Sequence, residues 1–168
     1  MDNFLEKLSS YNILNNLFPG AVYCFLMKCI CSIDLTSNGI ISEILIYYFV
    51  GMIISRVGSV IIEPIYKKIR IVSFAEYPKY IEAEKNDAQI SILSETNNTY
   101  RTMVALCILV LLSVLTISVF NHFGLNKKIL AYVAIGLLTV LFSLSYRKQT
   151  KYIRNRVEKQ IKNKEENS

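Results

Sequence analysis

Apolar residues in this chain fall into four long runs, with polar residues gathered between and after them. A bilayer core about 30 Å thick is crossed by about 20 mostly apolar helical residues. The runs cover roughly 17–35, 41–65, 103–120 and 129–146. The third and fourth contain no charge, the first contains Lys28 and the second contains Arg56. This pattern predicts an all-α membrane protein, with four transmembrane helices arranged as two hairpins. Phe4, Leu8, Tyr11, Leu14 or Asn15, and Phe18 recur at helical spacing, which predicts an N-terminal amphipathic helix on the membrane surface. Asp2 and Glu6 stand where a cleavable signal would carry basic residues, so a signal peptide is not expected.

The polar stretches predict helices of their own. Pro78 suits the first turn of a helix in the 67–102 segment, and Asp87 suits the cap of another. From Ile90 a stripe of Ile90, Leu93, Asn97 and Tyr100 leads into the third run without a Gly or Pro, so that helix projects about four turns beyond the membrane. The basic tail, 147–168, carries a second stripe, Tyr146, Ile153, Val157 and Ile161, and the two projections are expected to pack as a stalk. The chain reads as a single domain.

Charge sets the orientation. Fifteen of the 19 lysines and arginines fall in the N-terminus, the 67–102 segment and the tail, which four spans place on one side. The excess of positive charge on cytoplasmic loops then puts both termini in the cytoplasm. The net charge of +6 is therefore juxtamembrane charge, not the uniformly basic face of a nucleic-acid-binding domain. With a mean hydropathy of +0.34 and a 52% hydrophobic content, the long apolar runs exclude an ordinary soluble enzyme.

Lys28 and Arg56 are the residues that demand chemistry. A cation inside a span costs several kcal/mol unless it finds a partner, snorkels or faces water. In one reading each pairs with a carboxylate, Arg56 with Glu63 and Lys28 with Asp34 or Glu43. In the other they line a polar path favourable to anions. Ser55, Ser59 and Glu63 share the second run with Arg56 and complete the candidate path. Gly51 and Gly58 are helix-packing candidates, because Gly51 and Ser55, like Ser55 and Ser59, stand four apart in a small-xxx-small pattern. Asn12, Asn15 and Asn16 at the inner mouth, with Arg147, Lys148, Lys151 and Arg154 in the tail, are the ligand-binding candidates. Cys24, Cys29, Cys31 and Cys107 read as thiols packed among apolar groups. No cofactor, metal site or enzyme motif is expected.

Four strings extend the reading: Asn16-Leu17-Phe18-Pro19-Gly20; Ser55-Arg56-Val57-Gly58-Ser59 with Glu63-Pro64; the octapeptide from Ser94 to Arg101; and the hexapeptide from Ser145 to Thr150. Together the chain resembles small bacterial four-span membrane effectors of anti-phage defence, closest to the Hailong-type channel effector. That resemblance implies a homotetrameric channel in the inner membrane. It implies a companion nucleotidyltransferase whose DNA oligomers hold the channel closed, and membrane depolarisation when they are lost. The alternative expectation is a non-conducting membrane scaffold or sensor that recruits a cytoplasmic partner. A small transporter or lipid-active enzyme is a third.

Overall fold

The computed structural model describes residues 13–35, 39–124 and 127–165, and among them the only regular structure is helical. A π-helical turn, Ile13–Leu17, opens into α1, Phe18–Cys31. Pro19 sits in its first turn, directly after the π-helical turn. The expected amphipathic helix and Asn12 lie outside the described residues. α2, Ile40–Val57, continues through a π-helical segment, Gly58–Ile62, into α3, Glu63–Lys68, as one rod. α4, Tyr77–Asn86, precedes the two longest helices, α5, Gln89–His122, and α6, Lys127–Glu165.

Two of these rods are long and apolar enough to cross a membrane, Ile40–Lys68 and Gln89–His122. Only 22% and 17% of their most apolar windows are buried, the reverse of what a soluble core helix shows. α1 is shorter than the sequence pattern predicts. It ends at Cys31, where Ser32 turns into the left-handed region at φ 53°, so Lys28 lies in its last turn rather than well inside a span reaching residue 35.

α1 and α2 form the expected hairpin and pack closely along their length. α5 lies against both, and its Ala105, Leu106 and Val110 close a core with Ile54 and Ile62. The second pair departs from a packed hairpin. α6 follows α5 in the chain but leans on α2 and the π segment instead. Its inward face is Leu141, Ser145, Lys148 and Tyr152, at the four-three-four spacing of one helical side.

Both projecting stripes also face differently from expectation. Leu93 and Tyr100 are exposed on α5, whereas the half-buried Ser94, Asn98 and Arg101 and the buried Thr102 turn inward. Tyr146, Ile153, Val157 and Ile161 are all exposed on α6. The tail meets α4 rather than forming a stalk with α5: the Tyr77 and Tyr152 rings stack at 5.9 Å, and Arg156 lies 4.0 Å from Glu84. Pro78 does open α4, and the Asp87 carboxylate accepts the Gln89 N–H at 2.8 Å at the start of α5.

The hairpin depends on two glycines where the chains touch through backbone. A Cβ on Gly51 would strike the Asn16 carbonyl, and one on Gly20 would strike the Tyr47 carbonyl. Backbone cannot rotate out of the way, so the helices would have to part. Gly51→Ala is therefore expected to destabilise the detergent-solubilised protein by about 1–3 kcal/mol in equilibrium unfolding. Gly39→Ala, whose Cβ would meet only Ser42 Oγ at 3.9 Å, should cost under about 1 kcal/mol. Equal effects of the two would refute this reading of the α1–α2 contact.

Candidate functional site

Ser55, Ser59 and Glu63 recur every fourth residue, which places them on one side of the α2–α3 rod. Around them lies a polar seam in two parts. The upper part is fully buried. Asn15 Nδ2 donates to Ser55 Oγ at 2.9 Å, and Thr102 Oγ1 donates to Asn15 Oδ1 at 2.7 Å. The Thr102 hydroxyl is also 2.9 Å from the Asn98 carbonyl, and its single proton serves one acceptor at a time. Asn16 is buried beside it and donates to the Tyr48 hydroxyl at 3.4 Å. These bonds tie the π turn before α1 to α2 and α5. Paired groups of this kind fix the register of the helices, because an unpaired amide there would cost about 1–3 kcal/mol.

The lower part is ionic. The Glu63 side chain is only 8% exposed and meets three cations from three helices. Lys67 Nζ lies 2.9 Å from Oε1, Arg101 Nη1 lies 2.7 Å from Oε2, and Lys148 Nζ approaches Oε1 at 3.4 Å. Lys148 also donates to the Ser59 carbonyl at 2.6 Å and to Ser59 Oγ at 2.9 Å. The local backbone explains that carbonyl's availability. In the π segment the Glu63 N–H bonds back to the Gly58 carbonyl, and Pro64, next in line, has no N–H to offer Ser59. Burial pushes the Lys148 ammonium below the ordinary lysine range, against the pull of Glu63. Burial raises the Tyr80 and Tyr152 phenols, so both stay protonated donors.

These groups line a cavity of about 580 Å³ that also includes Phe74, Tyr77, Ser94, Asn98 and Gln149. One carboxylate faces three cations there, a surplus of positive charge. Arg101 Nε is buried and has no hydrogen-bond partner. The arrangement suits an anion that accepts from a guanidinium, ammonium groups and tyrosine hydroxyls.

The other sequence candidates distribute as follows. Gly51 packs on the Asn16 backbone, and Gly58 lies against α5, where a Cβ would meet the Arg101 carbonyl at 3.3 Å. Asn15 and Asn16, two of the ligand-binding candidates, spend their amides inside the fold. Lys28 pairs with Asp34 at 2.7 Å, and both are well exposed. Arg56 does not reach Glu63, whose oxygens are taken by the other three cations. It is exposed and meets no carboxylate among the described residues. Arg147, Lys151 and Arg154 are exposed on α6, Arg154 beside Glu158 at 3.4 Å, whereas Lys148 belongs to the Glu63 cluster. Lys67, Arg101, Thr102 and the three tyrosines were not singled out by sequence. The usable signal was the coincidence of charge with the ends of three apolar runs. Cys24 is buried as an apolar thiol, whereas Cys29 and Cys107 are exposed on apolar helices.

No family model matches the chain, and neither a curated protein nor a solved structure matches it.

Removing the carboxylate leaves three cations facing one another. Glu63→Gln is expected to lower stability by about 3 kcal/mol, the range for breaking a buried ion pair. Arg154→Gln, in an exposed pair, should change it by less than about 1 kcal/mol. Thermal unfolding of the solubilised protein separates the two, and a neutral Glu63→Gln would show that the cluster is not structural.

Proposed function

We propose that the chain crosses the bacterial inner membrane four times, with both termini in the cytoplasm. Its copies assemble, as a tetramer by preference, into an ion channel of anti-phage defence. Released from an inhibitor, the channel depolarises the membrane and halts growth. The inhibitor in this reading is a DNA oligomer made by a nucleotidyltransferase encoded nearby, and Arg147, Lys151 and Arg154 on the exposed side of α6 are the residues placed to meet it.

The observation that carries the reading is Arg56. It lies 16 residues into the Ile40–Lys68 rod, about 24 Å from its start, on the same side as the exposed Leu45 and Phe49. A guanidinium at that depth against lipid costs several kcal/mol. Water in a conduit between copies removes that cost, and the cation then favours anions in the conduit. The helices of one chain leave no room for such a conduit, so it forms where copies meet.

α6 supports assembly. Between residues 131 and 140 it has no buried side chain, and Tyr132, Ile135, Leu137 and Val140 are all exposed. Tyr132 and Ile135 share a side of α6 with the exposed Tyr146, Ile153, Val157 and Ile161, a row that runs well past the apolar run. Lipid alone accounts for the first part of that row, but not for the part among basic residues.

Expressed without its inhibitor, the chain is expected to collapse the membrane potential, read with a voltage-sensitive dye. In liposomes Arg56→Gln should shift permeability several-fold away from anions. An inserted chain that leaves the potential intact would overturn the channel and favour the non-conducting scaffold. Unchanged selectivity in the variant would remove Arg56 from the path.

A further inference from the structure

Three helices change character at one level. α2 and its π segment are apolar as far as Ile62, and Glu63 follows. α5 is charged at Arg101 and apolar from Met103. α6 is apolar to about Leu144, and Arg147 and Lys148 follow. The 580 Å³ cavity sits at that shared boundary, lined by Lys67, Arg101, Lys148, Tyr77, Tyr80 and Tyr152 among others. Beside it is a second hollow of about 130 Å³, lined by Ile62, Tyr66, Ile71, Val72 and Val104 among others. The two share Glu63, Phe74 and Arg101 as a common wall.

A cationic cavity joined to an apolar one has the two-part chemistry of a lipid, a phosphate above and the start of an acyl chain below. We propose that these joined cavities bind the headgroup of an anionic phospholipid, with its phosphate among Lys67, Arg101 and Lys148. The proposal rests on the membrane reading above and adds a specific ligand to it.

The charge balance suits this ligand. Glu63 neutralises one of the three cations, and a phosphodiester supplies a further negative charge without displacing it. Tyr77 and Tyr152 line the same cavity as neutral residues, whereas the Tyr80 hydroxyl is spent on Glu84 at 3.2 Å. Basic pockets between helices at the membrane surface recognise headgroups in this way. The bound lipid would clamp α3, α5 and α6 together, since each contributes one of the cations.

The test uses the full chain in nanodiscs with a phosphatidylglycerol analogue carrying a photoreactive headgroup. Adducts are expected within residues 66–80 or 148–152. Unlabelled phosphatidylglycerol should compete, and phosphatidylcholine should not. Lys67→Gln removes a cation that is 44% exposed, leaves Arg101 and Lys148 on Glu63, and should weaken competition about tenfold. Adducts confined to the 131–144 face of α6, or equal competition by phosphatidylcholine, would overturn the site. Displacement by inorganic phosphate or a single-stranded DNA oligonucleotide, but not by phosphatidylglycerol, would assign the pocket to a soluble anion and overturn the lipid. A chain extracted from the discs by alkaline carbonate would sink the membrane reading as well.

Discussion

A single carboxylate holds the lower end of this molecule together. Glu63 stands at the junction of α3 with the π segment and draws in Lys67 from its own helix, Arg101 from α5 and Lys148 from α6. Each cation is only partly desolvated, at 44%, 18% and 26% exposure, so each retains some water while Glu63 loses nearly all of its own. Several charged donors are what make such burial tolerable, because an isolated carboxylate there would be neutralised or expelled. α6 depends on the contact most. It has little packing against its sequence neighbour α5, and its inward face runs from Leu141 through Ser145 to Lys148 and Tyr152.

Local covalent chemistry prepares that contact. Pro64 removes an N–H, the π segment shifts the hydrogen-bond pattern at Gly58, and the Ser59 carbonyl becomes free to receive Lys148. A few residues away the same rod meets the π turn before α1 through Gly51 and Ser55. There the helices approach closely enough that a methyl group would not fit, and Asn15 and Thr102 complete a buried hydrogen-bonded knot. Close approach and polar pairing are complementary means of joining helices where lipid removes the ordinary hydrophobic drive.

Much of the architecture was legible in the sequence because hydropathy reports length directly. The rods Ile40–Lys68 and Gln89–His122, the opening of α4 at Pro78, the Asp87 contact and the packing role of Gly51 all follow from local pattern. Facing was not legible. Apolar stripes such as Leu93 with Tyr100, or Ile153 with Val157, suggest inward packing to any rule written for water, yet here they point outward. The inward positions are Ser94, Asn98, Arg101 and Lys148, and the partners of Arg101 and Lys148 lie 38 and 89 residues away in the chain. Gly20 was likewise invisible, since nothing near it in sequence shows that Tyr47 will cross it. The pairing of Arg56 with Glu63 looked natural at two turns' separation, but three other cations occupy the acid, and Arg56 is left on the outer face. That division places the satisfied charges inside the fold and leaves Arg56 on its exposed side.

The coupling between Glu63 and Lys148 tests this account most directly. Equilibrium unfolding in mixed micelles would be measured for Glu63→Gln, Lys148→Met and the double variant. A direct charge pair that holds α6 to the α2–α3 rod predicts a coupling of about 1–3 kcal/mol, with the double variant less impaired than the sum of the singles. Strict additivity, within about 0.5 kcal/mol, would contradict it and leave α6 held by something other than the carboxylate.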